Sequence, residues 1–162
     1  MDLAKWLQDF RALHQKARNN TLTAREHDAY LAGRNELARA ILASQKMGLV
    51  PGQVPRQALR AARVLPIEIE VHGRMRPHLT MEISAGGFAS ILAEAPPNDR
   101  LVRFSLKLPN EQELISGEAA CVQTTPQPGR CRCCFRFENL GSIDREKLEL
   151  FVFDVLLENI KG

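Results

Sequence analysis

The sequence has no long apolar run and no apolar segment near its start. The first residues, from Met1 to Trp6, carry charged side chains within one helical turn, whereas a secretory signal needs an apolar core there. No stretch approaches the roughly 18 apolar residues that a membrane-spanning helix requires. These absences predict a cytoplasmic protein without a membrane span.

An excess of charge of one sign is also missing. The 22 Lys and Arg residues nearly balance the 19 Asp and Glu residues, which leaves a net charge of +3. That charge is too small to hold a nucleic-acid polymer or a membrane surface by bulk attraction. Any site for an anion must therefore be local.

The four cysteines do not form the pattern of a disulfide framework or a zinc site. Cys121, Cys131, Cys133 and Cys134 are crowded into one part of the chain, whereas disulfide frameworks are usually spread along shorter secreted chains. The run Cys131-x-Cys133-Cys134 lacks the C-x₂₋₄-C pairs of structural zinc. We expect a reduced protein without a metal, with Cys131 and Cys133 in a core and Cys134 exposed.

No catalytic arrangement can be recognised. The four histidines, at positions 14, 27, 72 and 78, are scattered without the spacing of metal ligands. No histidine and acid can be assigned to Ser84 as a triad, and the Gly-x-Ser-x-Gly turn is missing. The sequence therefore predicts a non-enzymatic protein without a cofactor.

The first 46 residues read as two helices. Apolar side chains recur at helical spacing in residues 2–18 and again from about 24 to 45. Between them, Asn19 and Asn20 tolerate the left-handed backbone that ends a helix. The short link predicts an αα-hairpin over residues 1–46.

The second helix begins with the pattern of a capping box. The Thr23 hydroxyl can accept from the backbone of Glu26, whose carboxylate reaches back to the backbone of Thr23. The hairpin carries large side chains that two helices alone cannot bury: Trp6, Phe10, Tyr30, Leu37 and Ile41. They either pack within the chain or join two copies as a homodimer, and the sequence leaves both readings open.

Residues 47–55 read as a linker between two domains. Gly48, Pro51, Gly52 and Pro55 stop both a helix and a central strand. We place the domain boundary there, so that residues 56–162 form the second domain.

The second domain reads as mainly β. From Val64 onward the apolar period is two, which is typical of strands with one buried face. The predicted strands are 64–72, 74–84, 88–93, 100–108, 113–125 and 130–139. Six short strands joined by tight turns favour a closed antiparallel β-barrel, and the apolar stripe after Gly141 predicts a C-terminal helix. The fold class is thus α+β, mainly β.

The strand period also assigns the faces of side chains. It places Leu79, Met81 and Ile83 inside and Glu82 and Ser84 on the wet face. In the strand over 113–125 the period is lost around Gly117, which indicates a β-bulge at that position. In the last strand Phe135 and Phe137 point inward, whereas Arg130, Arg132 and Arg136 form an outward basic stripe. This stripe either extends an anion-binding surface or is solvated, and we favour the solvated interpretation.

Two polar motifs lie on either side of the first predicted strand. Arg56-Gln-Ala-Leu-Arg60 is followed closely by Arg63, and Glu82-Ile-Ser84-Ala-Gly-Gly87 comes some twenty residues later. In this order and spacing they resemble the signatures of the PilZ domain family, which are Arg-x-x-x-Arg and (Asp/Asn)-x-Ser-x-x-Gly. The resemblance covers roughly residues 56–160, and Glu82 stands where the family has Asp or Asn.

The resemblance implies a six-stranded PilZ-type barrel, closed by a helix, that binds the second messenger cyclic di-GMP. It implies a ligand site made of these residues: Arg56, Arg60, Arg63, Glu82, Ser84 and Gly87. Guanidinium suits such a ligand because it makes forked bonds to phosphate and to guanine and stacks on the base. The resemblance also implies that the Arg-x-x-x-Arg segment clamps the dinucleotide. Either Arg60 or Arg63 can be the second arginine of this clamp.

Glu82 leaves two functions open. Its extra methylene moves the carboxylate, and an unmatched buried polar group costs about 1–3 kcal/mol, so the motif comparison predicts that Glu82→Asp tightens binding. One function is a receptor that binds cyclic di-GMP and signals to a protein partner in motility, pilus or regulatory machinery. The other is a PilZ-like adaptor that does not bind nucleotide and acts through protein contacts.

A barrel that binds single-stranded nucleic acid is disfavoured. Such a site places aromatic side chains among basic residues on an exposed strand face. Here Phe104, Phe135 and Phe137 are all predicted to face inward, so we expect no nucleic-acid polymer among the partners.

Overall fold

The computed structural model describes residues 2–47, 59–109 and 111–159. Its contacts divide the chain into a helical unit, residues 1–59 with 153–162, and a barrel unit, residues 60–152. The elements are α1 (Leu3–Arg18), α2 (Ala24–Met47), β1 (Pro66–Val71), β2 (Arg74–Ile83), β3 (Gly87–Leu92), β4 (Leu101–Leu106), β5 (Ile115–Gln127), β6 (Arg130–Glu138) and α3 (Ser142–Asn159). The predicted order of two helices, six strands and a last helix is confirmed.

The helical unit is packed around aromatic rings. The rings of Phe10 and Tyr30 stack with centroids 5.5 Å apart, and Phe153 of α3 meets Phe10 edge-on at 6.4 Å. Gly33 of α2 lets the helix approach, since a Cβ there would lie 2.8 Å from Cδ1 of Phe10. Phe10 and Tyr30 thus pack within the unit, and the homodimer stays a prediction.

The predicted capping box is present at the start of α2. The Glu26 backbone N–H donates to the Thr23 hydroxyl at 3.2 Å, and the Thr23 N–H donates to the Glu26 carboxylate at 3.1 Å. Lys16 of α1 donates to the same carboxylate. The hydrogen bond from Lys16, followed by that from the Thr23 backbone, lowers the pKa of Glu26.

His14 is the polar centre of the helical unit. It is only 5% exposed, its Nδ1 lies 2.7 Å from the Tyr30 hydroxyl, and its Nε2 contacts the carboxylate of Asp154. Arg18 pairs with the other oxygen of Asp154 at 3.2 Å. The scattered spacing of the four histidines in the sequence gives no sign of this network.

The barrel unit is a closed antiparallel sheet with strand order β1-β2-β3-β6-β5-β4. The inward positions predicted for Phe104, Phe135 and Phe137 are confirmed, and these rings cluster with Phe88 at centroid distances of 4.8–5.9 Å. The closed barrel leaves no free edge among its six strands, which is how such sheets avoid unwanted pairing.

The predicted faces of β2 are wrong at Leu79 and Met81. Their side chains are 54% and 42% exposed, while Thr80 between them is buried. The pairing of β2 with β3 shifts register between Thr80 and Glu82, so Met81 is the extra residue of a bulge and the alternation breaks. The inward Thr80 is satisfied because its hydroxyl donates to the Arg63 carbonyl at 2.7 Å and accepts from the Leu65 N–H at 2.9 Å.

The bulge predicted at Gly117 lies elsewhere. Gly117 pairs in register with Phe104, and the shift in β5 falls between Cys121 and Gln123. A glycine in a strand signals either a bulge or a close neighbour. At Gly117 a Cβ would lie 3.5 Å from the Phe104 ring, which is an ordinary van der Waals contact, so neither reason requires a glycine there.

The buried cysteines behave as core residues. Cys121, Cys131 and Cys133 are buried, and Cys134 is half-buried. The thiols of Cys131 and Cys133 lie 3.6 Å apart. Burial, followed by the neighbouring Cys131, raises the pKa of the Cys133 thiol to about 12, which keeps it protonated and unreactive.

No helix in the described part of the chain is long and apolar enough to cross a bilayer.

Candidate functional site

The chain between the two motifs is fastened to β2 by backbone hydrogen bonds. Ala61 and Ile83 exchange two of them, with Ala61 N donating at 2.8 Å and Ile83 N donating at 2.9 Å. Further along, Thr80 N donates to the Leu65 carbonyl at 2.9 Å. This antiparallel pairing brings Arg60 beside the second motif, although 22 positions separate Arg60 from Glu82.

Arg60, Glu82 and Arg132 form an ionic cluster. Nη1 of Arg60 donates to Oε2 of Glu82 at 3.4 Å, and Nη2 of Arg132 donates to the same oxygen at 3.0 Å. The Glu82 and Arg132 side chains are partly shielded, and that of Arg60 is more open to solvent. Two positive charges and one negative charge leave a net positive charge on the barrel surface, which suits an anionic ligand.

Ser84 holds the loop that follows β2. Its hydroxyl accepts from the N–H groups of Gly86 and Gly87, both at 3.1 Å, and donates to the Gly87 carbonyl at 3.3 Å. The predicted position on the wet face is wrong, because Ser84 is only 7% exposed. The strand ends at Ile83, and the chain turns so that the hydroxyl points into its own loop.

Gly87 allows β3 to approach β6. It pairs with Arg136, and a Cβ at Gly87 would lie 1.9 Å from the carbonyl oxygen of Phe135. No larger residue fits at that distance, so only glycine allows this close backbone approach. Ser84 and Gly87 therefore shape the loop beside the cluster through the backbone.

The predicted site also included Arg56 and Arg63. Arg56 lies outside the described residues. Arg63 is exposed just before β1, and its carbonyl accepts the Thr80 hydroxyl. Of the six predicted site residues, the structure thus brings Arg60 and Glu82 into contact and sets Ser84 and Gly87 in the loop that follows.

Arg132 was not among the predicted site residues, and solvation was the favoured interpretation of its strand face. Its interpretation as a solvated side chain is wrong, because it is half-buried and contacts both Glu82 and the Cys134 sulfur, the latter at 3.4 Å. The strand period did place Arg132 on the outer face. Its partner depends on the strand order β2-β3-β6, which no local pattern reveals.

A cleft of the barrel unit lies apart from the cluster. A cleft of about 370 Å³ in the barrel unit is lined by Glu70, His72, Glu94, Arg100 and apolar neighbours. None of the predicted site residues lines it. Across residues 2–47, 59–109 and 111–159, no group of three or more His, Cys, Asp or Glu side chains is arranged to hold a metal ion.

Several solved structures share this fold. The inhibitor of motility from Bacillus subtilis (MotI/DgrA) is 23% identical, with a TM-score of 0.59 over 67% of this chain and 54% of its own. YcgR from Escherichia coli, solved in complex with cyclic di-GMP, is 16% identical, with a TM-score of 0.54 over 65% and 52%. MrkH of K. pneumonia in its apo state is 18% identical, with a TM-score of 0.52 over 68% and 54%.

At these identities the likeness shows the fold, and the chain spans about half the length of each of these proteins. A comparison with curated protein sequences finds no match. The profile of the PilZ domain matches residues 55–154, which is more than half of the sequence and includes both motifs. This chain therefore belongs to the PilZ domain family.

Proposed function

We propose that this protein is a non-enzymatic receptor that binds cyclic di-GMP on the outer face of its barrel and signals to a protein partner. The contact between Arg60 and Glu82 carries the proposal, because it joins the two family motifs in one place. The fold it shares with YcgR, which is solved with cyclic di-GMP bound, supports the same ligand.

The chemistry of the cluster fits a dinucleotide with two phosphates and two guanines. A guanidinium can fork onto a phosphate or onto one edge of guanine, and it can stack on the base. Nη1 of Arg60 lies 3.4 Å from Oε2 of Glu82, and the Arg60 side chain is exposed to solvent. Exposed ion pairs of this kind contribute little stability. A ligand can therefore recruit Arg60 at small cost.

The loop after β2 contributes shape. The Ser84 hydroxyl is engaged by three backbone groups of its own loop, so it fixes the Gly86 and Gly87 backbone beside Glu82. Arg56 and Arg63 are the proposed further contacts, with Arg60 as the inner arginine of the clamp.

The signal follows from the differential contacts of the two states. A bound dinucleotide orders the arginine segment against the loop of Ser84 and Gly87, which changes the surface shown to a partner. The partner belongs to motility, pilus or regulatory machinery. MotI is an inhibitor of motility and MrkH a cyclic di-GMP-dependent transcription regulatory factor, which supports this range.

A second candidate is an adaptor of the same fold that binds no nucleotide. One observation favours it: the Glu82 carboxylate already pairs with Arg60 and Arg132. On this reading the cluster is a structural ion-pair network, and the barrel acts through protein contacts alone.

Calorimetric titration of the purified protein with cyclic di-GMP tests the proposal. We expect micromolar or tighter binding, and a loss of at least about a hundredfold in Arg60→Ala, because the forked bonds of a guanidinium disappear. Arg103→Ala is the matched control, since Arg103 is also an exposed arginine paired with an acid, Glu70, at 3.1 Å.

Two outcomes oppose the receptor. Unchanged affinity in Arg60→Ala contradicts the assigned clamp. No heat at high ligand concentration, from wild-type protein with a cooperative melting transition, supports the adaptor.

A further inference from the structure

We propose that Arg132 is a positioning residue of this site, which holds the Glu82 carboxylate in its working place. The inference rests on the cyclic di-GMP function proposed above. It adds a residue from β6 that belongs to neither sequence motif.

The contact between Arg132 and Glu82 crosses an intervening strand. Glu82 on β2 is paired with Ala89 on β3, and Ala89 is paired with Cys134 on β6. Neighbouring strands lie about 4.8 Å apart, so β2 and β6 are roughly 10 Å apart. Only two long side chains can meet over that distance, and Arg and Glu are both long.

Ala89 leaves the path open. Its methyl group is the smallest side chain that β3 can carry at that point, and it is 2% exposed. The Arg132 guanidinium has two anchors, Glu82 at 3.0 Å through Nη2 and the Cys134 sulfur at 3.4 Å through Nη1. A planar guanidinium held at two points has a defined orientation, which a Lys ammonium cannot reproduce.

Arg132 also offsets the length of Glu82. Glutamate has one more rotatable bond than the Asp or Asn of the family motif, and an unrestrained side chain loses more entropy when a ligand fixes it. The contact with Arg132 is shorter than the contact with Arg60, 3.0 Å against 3.4 Å. Of these two guanidinium groups, the one on β6 therefore holds the carboxylate more closely.

This arrangement keeps Arg60 available for the ligand. Without Arg132, the Glu82 carboxylate would balance the charge of Arg60 alone, and a phosphate would compete with an internal anion. With Arg132 present, the cluster keeps a net positive charge while its acid stays in place.

A double-mutant cycle on the full chain tests the role of Arg132. Wild type, Arg132→Ala, Glu82→Asp and the double variant are titrated with cyclic di-GMP. We expect Arg132→Ala to weaken binding about tenfold when Glu82 is present. In the Glu82→Asp background we expect less than about a threefold loss, because the shorter acid does not reach Arg132.

The single variant Glu82→Asp distinguishes between two opposite predictions of affinity, one from the motif comparison and one from the structure. The motif alone predicts tighter binding for the family's own residue. The contact between Glu82 and Arg132 predicts weaker binding, because the shorter aspartate does not reach Arg132 on β6.

Two controls separate positioning from folding. Arg136→Ala removes an arginine from the same face of β6 that pairs with Glu138 at 2.7 Å, and it should change affinity less than about twofold. Arg132→Gln removes the charge but keeps a polar, shorter side chain, and it replaces Arg132→Ala if that variant does not fold. Melting temperatures are measured for every variant, and Arg132→Lys should retain only part of the affinity.

Each other outcome overturns the inference. Unchanged affinity in Arg132→Ala and Arg132→Gln shows that Arg132 does not position Glu82. An equal loss with Glu82 and with Asp shows that Arg132 contacts the ligand directly. If wild type does not bind at all, the proposed function fails and this inference fails with it, whereas binding by wild type with an indifferent Arg132 overturns the inference alone.

Discussion

The two units of this protein each contain a cluster of ionisable side chains, and the clusters differ in burial. In the helical unit, His14 is buried and joined to Tyr30 and Asp154. In the barrel unit, Arg60 and Arg132 meet Glu82 on a partly exposed surface. A buried contact of this kind stabilises the fold, because removing one partner leaves the other buried, unpaired and unable to hydrogen-bond to water. Where such contacts are exposed they contribute little stability and stay free to exchange.

The largest expected effect on stability lies beside the barrel cluster. Gly87→Ala should lower the free energy of unfolding by about 3 kcal/mol or more, because its Cβ would lie 1.9 Å from the Phe135 carbonyl oxygen and both strands would have to separate. Urea unfolding measures the change. Gly86→Ala is the matched control: its nearest neighbour is the Ser84 hydroxyl at 3.8 Å, so we expect a change within about 0.5 kcal/mol. Equal stability of the two variants would contradict the close approach.

The next effect tests the helical cluster. Asp154→Ala should destabilise the protein by about 2 kcal/mol, because the buried His14 and the partly exposed Arg18 both lose a partner. Its affinity for cyclic di-GMP should stay unchanged, in contrast to Arg60→Ala, which should lose affinity while keeping its stability. His27→Ala, which removes an exposed histidine of α2, is the control. A loss of affinity for cyclic di-GMP in Asp154→Ala as large as its loss of stability would contradict this division of roles between the two clusters.

The smallest expected effect concerns Glu26 and its dependence on pH. The pKa of Glu26 is lowered in the folded protein, so its contribution to stability is present above the unfolded pKa and is lost as the pH falls through the folded pKa. Glu26→Gln keeps the capping geometry but cannot titrate. Urea unfolding from about pH 7 to about pH 3 should show a small advantage of wild type that disappears at low pH. A difference that is constant with pH would mean that the carboxylate charge is irrelevant.

The sequence predicted the elements because their signals are local. The periods of helix and strand and the capping box of Thr23 and Glu26 depend only on neighbouring residues. The faces of Leu79 and Met81 could not be predicted, since one bulge residue inverts the alternation without changing composition. The buried position of Ser84 was not predicted either. The strand period would place its hydroxyl in solvent, but the strand has already ended and the hydroxyl makes hydrogen bonds to the backbone of Gly87 in the following loop.

Contacts between residues that are distant in sequence also could not be predicted. His14 and Asp154 are 140 positions apart, and Arg132 is 50 positions from Glu82. The motifs did identify Arg60 and Glu82 as neighbours, because a family resemblance carries information on tertiary structure that periodicity lacks. Arg132 stands outside both motifs, so only the strand order of the barrel brings it to the site.

The central claim is that the barrel cluster recognises the ligand and the helical cluster does not. Nuclear magnetic resonance of the arginine side chains during a titration with cyclic di-GMP tests it most directly. We expect the guanidinium signals of Arg60 and Arg132 to shift with ligand concentration and saturate, while those of Arg18 and Arg103 stay in place. Saturable shifts at Arg18 with none at Arg60, or no shift at any arginine, would show that the barrel cluster is not the ligand site.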